Sequence, residues 1–263
     1  RRVDREAHEV AGHDAPVVIR GEMGLGKARL ARRIHLSSDR CSAPFVTVDA
    51  IGGTDALSLL DRAIAEVGEG TLFVSGIGRL PEEGQARLAL ALRDGAFRLI
   101  ATAGLRLEEK AAANGFRHDL LYALRAHEIV IPALADRTED AVWLATQLFP
   151  GLNARRPAPL KGIAASAEAA MRTHDWPGNG REVRSRMVRA VEAADTDMIL
   201  PSDLFPERAA QESIRPLSEV RDDAERTQIV AALAHTSGQV TEAAKLLRVS
   251  RTTLWEKMQK LDL

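Results

Sequence analysis

The feature that most restricts this chain is a glycine-rich heptad, GEMGLGK at 21–27, set between a β-branched run and an amphipathic stretch. Residues 16–20 read PVVIR, and ARLARRIH follows the lysine with Leu30, Ala31 and Ile34 at helical spacing. Strand, glycine loop and helix in that order is the layout of a P-loop. In such a loop backbone N–H groups wrap phosphates and the helix directs its positive end at the anion. Gly21, Gly24 and Gly26 free the backbone for that wrap, Glu22 and Leu25 lie within it, and Lys27 reaches toward the outer phosphates. After the lysine stands Ala28, where a magnesium-holding serine or threonine is usual. The loop is thus compatible with ATP or ADP but poorly equipped for Mg2+.

Further strands are expected at FVTV (45–48), TLFV (71–74), FRLIAT (97–102) and HEIVIP (127–132), with helices near 55–67 and 82–93. Such alternation predicts an α/β fold with a mostly parallel sheet covered on both faces. After Pro132 the strand signal ends, and 138–149, 162–173 and 180–194 read as helices of an all-helical second unit. PERAAQESIRPL at 206–217 is polar with proline near each end and reads as a linker. Helices at about 218–235, 241–247 and 251–261 close the chain. The expected division is 1–134, 135–206, a linker at 207–217, and 218–263.

The last segment, GQVTEAAKLLRVSRTTLWEKMQKLDL, has the pattern of a helix-turn-helix. Ala243, Ala244, Leu246 and Leu247 are expected to form one buried face; Val249 and Ser250 make the turn, with Ser250 as N-cap. Leu254, Met258 and Leu261 pack inward, leaving Arg251, Thr252, Thr253, Lys257 and Lys260 outside. Arg, Thr and Lys near the start of a small helix suit entry into a major groove. Trp255 is expected to pack, with contact to DNA as the second reading. Arg248 stands where the turn often has glycine. Between Glu242 and Leu263 five basic residues face three acidic ones. The whole chain carries a formal net charge of -1, so any nucleic-acid surface is local.

Composition narrows the class. With 45% hydrophobic and 28% charged residues the chain reads as soluble and globular, and no apolar run approaches the roughly 20 residues of a membrane span. A cytoplasmic protein is expected. Cys41 is the only cysteine, which excludes an internal disulfide or a cysteine metal cluster. The seven histidines show no ligand spacing, so no metal site is expected. The chain opens on Arg1 and not Met, as a piece of a longer protein with domains upstream would.

Taken together, GEMGLGK (21–27), APFVTVDA (43–50), EGTLFVSGIGRLPEEGQARLALALRDGAFR (69–98), FRHDLLYAL (116–124), WPGNGREV (176–183) and the C-terminus resemble the bacterial enhancer-binding proteins. These are AAA+ activators of sigma-54 RNA polymerase. The resemblance covers nearly the whole chain and implies a P-loop AAA+ three-layer domain, a helical lid and a Fis-type helix-turn-helix. It also implies a lid arginine that senses nucleotide at Arg181, and an arginine at Arg117 that acts across a subunit interface.

The departures from the family pattern concern chemistry. The third strand of the family ends in Asp-Glu, which holds magnesium and polarises the attacking water; here Ser75 and Gly76 stand there. The asparagine that senses the γ-phosphate becomes Ala103, the family's asparagine after the second strand becomes Asp49, and the second trans arginine becomes Ala123. No GAFTGA loop, the family's grip on sigma-54, fits between Val48 and Gly70. Glu22, Glu82 and Glu83 are the alternative carboxylates, with Glu82 and Glu83 expected in the acidic first turn of their helix.

The expectation is a sequence-specific DNA-binding regulator with no catalytic residue, holding nucleotide without hydrolysis. Its expected partners are double-stranded DNA and a second copy of itself, as a dimer or in a higher AAA+ assembly. RNA polymerase and an upstream sensor domain are further partners to test. An active sigma-54 ATPase, and a non-catalytic partner in mixed AAA+ assemblies, are the two alternatives.

Overall fold

Side-chain alternation along the strands decides which layer each residue serves. In the computed structural model, which describes residues 2–50, 56–208, 217–236, 238–261 and 263, β1 (Val17–Arg20) sends Val17 and Ile19 to one face and Val18 to the other. β2 (Phe45–Asp49), β3 (Thr71–Ser75), β4 (Arg98–Ala103) and β5 (His127–Val130) complete a five-stranded sheet in the order β2-β3-β4-β1-β5. Every pairing in it is parallel. Phe73 and Ile100 join Val17 and Ile19 under α1 (Arg2–Ala11) and α2 (Lys27–Leu36). Leu72, Val74, Leu99 and Ala101 point the other way, against α3 (Ala56–Val67), α4 (Glu82–Asp94), α5 (Leu107–Ala112) and α6 (His118–Leu124). Both faces are thus covered, as near-continuous apolar strands require.

The lid follows as α7 (Thr138–Asn153), α8 (Ala165–Arg172), α9 (Asn179–Ala193) and the short α10 (Pro201–Leu204). It is not all-helical. Residues 162 and 163, expected to open a helix, instead form β6 (Gly162–Ile163), which pairs in parallel with β7 (Met198–Ile199). Two-residue strands carry too little alternation to be read in advance. Helix α7 also runs past the expected end at 149, with Pro150 inside it.

By packing, the chain divides into Arg1–Leu204 and Phe205–Leu263. In the second unit α11 (Leu217–His235), α12 (Val240–Leu246) and α13 (Arg251–Lys260) close around Ile229, Ala232, Ala243, Ala244 and Leu254. Leu246, expected inside, is 55% exposed. The linker reading at 207–217 falls largely on 209–216, outside the described residues.

Helix α1 is not among the expected elements, because its charged sequence offers only Ala7, Val10 and Ala11 to the core. A residue far along the chain fastens it. Arg98, 1% exposed, donates to the carbonyls of Val10 and Ala11 at the end of α1. A cation there meets the negative end of the helix. Arg98→Ala is expected to destabilise the protein by about 2–3 kcal/mol, since it takes a buried donor from the Ala11 carbonyl and one of two from the Val10 carbonyl and removes packed methylenes. Denaturant unfolding measures this.

Candidate functional site

The glycine loop joins β1 to α2 with glycines at positive φ where phosphate would be wrapped. Gly24 has φ 83° and Gly26 φ 75°, and Gly26 is the N-cap of α2 with no side chain bonded to the first-turn N–H groups. Those amides are left for an anion. A Cβ on Gly21 would lie 2.8 Å from the carbonyl of Ile131, and one on Gly24 would lie 2.2 Å from the carbonyl of Gly178. Lys27 folds back, donating from Nζ to the carbonyls of Gly21 at 2.8 Å and Glu22 at 2.6 Å. Burial pulls its ammonium below the ordinary lysine value, partly offset by the Glu22 carboxylate. Leu25 packs against the α1–α2 side of the sheet, while Ala28 is exposed and offers no oxygen.

The lid meets this loop at the start of α9. Arg181 is exposed there, its Cβ 3.3 Å from where a Cβ on Gly24 would stand. The glycine cradle, Lys27 and Arg181 fit a nucleotide's phosphates.

Fit to magnesium is another matter. β3 ends at Ser75, opposite Asp49 of β2 in register. Gly76 then turns the chain at φ 69° and donates its N–H to Thr102 Oγ1 at 2.9 Å. The turn favours glycine, so a carboxylate side chain at 76 would be strained. Ala103, the register partner of Arg20, is 2% exposed and brings no polar group to the end of β4. Two of the three substitute carboxylates are engaged. Glu22 Oε2 accepts from Asn179 Nδ2 at 2.9 Å. Glu82 and Glu83 lie in the first turn of α4, and Glu83 pairs with Arg87. Neither Ala28 nor the Ser75-Gly76 pair supplies what the cation needs.

Arg117 caps the start of α6, where it is held twice. Its backbone N–H donates to Gln85 Oε1 at 2.8 Å, and its guanidinium meets Asp119 at 3.0 and 2.7 Å. Asp119 therefore sits below the usual carboxylate range.

In the C-terminal unit Ser250 caps α13, accepting from the Thr253 N–H at 3.0 Å. Thr253 Oγ1 is spent on the same cap, 2.7 Å from Ser250 Oγ. The exposed residues of α13 are Arg251, Thr252, Trp255, Glu256, Gln259 and Lys260. Two expectations change here. Trp255 is 58% exposed, so it does not pack in the core. Lys257 turns back to Glu225 Oε2 at 2.5 Å, away from the exposed face. Lys260 stays exposed, as expected, with its ammonium on Asp222 at 2.8 Å. Helical spacing from Arg251 marks residues 251, 252, 255 and 259 as one stripe, a signal that could have separated Trp255 from Lys257. Arg248 does occupy the turn at φ 56°. Arg248→Gly is expected to raise the stability of this unit by about 0.5–1 kcal/mol, the left-handed strain of a non-glycine residue less glycine's chain entropy. Thermal unfolding of the two proteins compares them.

Among the described residues no group of His, Cys, Asp and Glu could hold a metal ion, and no helix is long and apolar enough to cross a membrane.

Comparison with known proteins agrees with this architecture. Residues 1–134 match the sigma-54 interaction domain, 135–219 the AAA+ ATPase lid domain, and 220–261 the Fis family of bacterial regulatory proteins. The alginate biosynthesis transcriptional regulatory protein AlgB of Pseudomonas syringae pv. tomato is 31% identical over 98% of this chain and 64% of its own length. The transcriptional regulatory protein ZraR of Escherichia coli is 31% identical over 95% of this chain and 64% of its own. The chain thus spans less than two thirds of these relatives. Among solved structures, NtrX from Brucella abortus in complex with ATP covers all of this chain with a TM-score of 0.71 at 27% identity, over 67% of its own length.

Proposed function

Because the chain belongs to the sigma-54 interaction domain family, with an AAA+ lid and a Fis-type helix-turn-helix, we propose a transcription regulator that binds specific DNA and holds nucleotide without hydrolysing it. The observation that carries the second half is the end of β3. Ser75 and Gly76 provide no carboxylate, and the φ of 69° at Gly76 fits a glycine turn. Phosphoryl transfer depends on positioned metal and an oriented water, and losing one such part costs orders of magnitude. Ala28, Ala103 and Ala123 remove further parts from the same reaction. ATP or ADP then acts as a static ligand, cradled by Gly21 to Ala28 with Arg181 beside it, and Mg2+ has no dedicated holder. NtrX with ATP, similar over the full chain, supports nucleotide retention.

The DNA surface is the exposed stripe of α13. Arg251 and Thr252 approach base edges and phosphates, Trp255 and Gln259 extend the stripe, and Ser250 fixes its start. Two copies paired through the C-terminal unit, residues 218–263, would place their α13 helices about one DNA turn apart, roughly 34 Å. Arg117, pinned by Asp119, is the residue offered to a neighbouring subunit in a larger assembly. This division into sheet domain, lid, linker and DNA-binding unit lets the body serve assembly and control while residues 218–263 read DNA. The cytoplasm is the compartment such a reader needs.

The chain passes from Val48 to Gly70 without a GAFTGA sequence, which supports regulation that does not drive sigma-54 remodelling. A promoter assay tests the reading. With sigma-54 RNA polymerase, ATP and the protein's own DNA site, specific binding is expected and ATP-dependent promoter opening is not. Opening that requires Lys27 would replace this reading with that of an active sigma-54 ATPase.

A further inference from the structure

One buried carboxamide joins three parts of the nucleotide module that are distant in sequence. Asn179, 0% exposed, stands first in α9 with φ 51°. Its Nδ2 donates to Glu22 Oε2 at 2.9 Å and to the carbonyl of Met23 at 3.0 Å, both in the glycine loop. Its Oδ1 accepts from the N–H of Leu134 at 2.8 Å, at the junction between sheet and lid. Each side-chain hydrogen-bonding atom is used, and the partners belong to loop, junction and lid.

The backbone around it is held just as firmly. The Asn179 N–H donates to the Trp176 carbonyl at 2.8 Å, and the Gly178 N–H to Glu182 Oε2 at 2.8 Å. Trp176 is itself buried, with its indole N–H on the Met171 carbonyl. Left-handed φ at Trp176 and Asn179, in a turn pressed against Gly24, is strain that persists only where surroundings impose it.

From this we infer that Asn179 is a positioning residue, a latch that holds the lid to the glycine loop and ties the loop's conformation to the junction at Leu134. The inference rests on the nucleotide reading above for its consequence. Glu22 and Met23 directly precede the amides that would wrap phosphate, so the same carboxamide that seats the lid also sets the loop for nucleotide. Arg181, two residues on, is delivered to the phosphates by the same seating.

Two variants separate latch from fold. Asn179→Gly keeps access to positive φ and removes the carboxamide. It is expected to speed exchange of the Leu134 amide about tenfold or more in nucleotide-free protein and to weaken ATP binding by a similar factor. Asn179→Asp sets a carboxylate against Glu22 and is expected to lower both the unfolding midpoint and ATP affinity. Adding Glu22→Gln, whose amide can donate to the new carboxylate, is expected to restore most of both, with Glu22→Gln alone completing the cycle. Unchanged exchange at Leu134 in Asn179→Gly, or no recovery when Glu22→Gln is added to Asn179→Asp, would overturn the latch. Faster exchange with unaltered ATP affinity would overturn its coupling to nucleotide. If the parent protein binds no ATP, the nucleotide reading fails, while the exchange and unfolding measurements still decide the latch.

Discussion

Gly24→Ala is expected to abolish nucleotide binding and to destabilise the first unit by about 3 kcal/mol or more. The reason is geometric. Gly24 has φ 83°, and a Cβ there would stand 2.2 Å from the Gly178 carbonyl oxygen and 3.1 Å from its carbon. Both neighbours are backbone, so no side-chain rotation relieves the clash; either the loop or the lid turn must move. Gly26→Ala is the control. It has a similar φ of 75°, but a Cβ there meets nothing within 4 Å. In unfolding, that variant should lose only the left-handed strain, about 1–2 kcal/mol, whatever a Cβ in the phosphate cradle does to binding. Denaturant unfolding of both variants distinguishes close packing from conformational preference, and calorimetry with ATP reads the loss of binding in Gly24→Ala. Equal effects would mean that the lid does not press on the loop.

The second large effect belongs to the DNA-binding unit. Arg251→Ala with Thr252→Ala is expected to cost about 2–4 kcal/mol of specific binding, each lost base contact being worth roughly 1–3 kcal/mol. Thr252, and not Thr253, is the threonine to change, because the Thr253 hydroxyl is engaged with Ser250 in the cap. Lys257→Ala makes the contrast. Its ammonium pairs with Glu225, so specific affinity should stay within about twofold and stability should fall only slightly. Titrations on the mapped site at two salt concentrations read both outcomes. A large loss from Lys257→Ala and none from the double variant would place the recognition surface elsewhere.

The parts of the fold that are legible in the sequence are those in which pattern and packing agree locally. β1, the glycine loop and α2 are read from adjacent residues, and Ser250 as N-cap of α13 needs only its own helix. Residues whose role is set by a distant partner are not legible. Nothing in RVDREAHEVA tells that Arg98 will cap α1 from the middle of the sheet. Trp255 reads as a packing residue and Lys257 as an outward one, and only the packed unit, in which α11 supplies Glu225 to Lys257 and leaves Trp255 exposed, reverses the two. Asn179 lies inside the motif that carries Arg181. Its use depends on Glu22, Met23 and Leu134, none of which is near it in sequence. The one available hint is a non-glycine residue between Gly178 and Gly180 at a helix start.

The same distinction explains why chemistry is easier to read than geometry at the nucleotide site. Ser75 and Gly76 lack carboxylates whatever the fold does. Only the structure shows that Gly76 adopts φ 69° and that Glu22 is bonded to Asn179, two facts that disfavour restoring an acid there or borrowing one nearby. A hydrolytic site needs an acid within reach of a bound water; the Glu22 carboxylate is bonded to Asn179, that of Glu83 pairs with Arg87, and Glu82 lies in the first turn of α4.

The central claim, nucleotide held without turnover, is tested most directly by phosphate release from ATP. The assay should cover a range of protein concentrations with magnesium and with the DNA site present, on samples shown by calorimetry to bind ATP. The account predicts binding, with release no faster than that of Lys27→Ala at every concentration. Release that rises as the protein assembles and disappears in Lys27→Ala would contradict it, and would mean that another group has taken the place of the acids missing at Ser75 and Gly76.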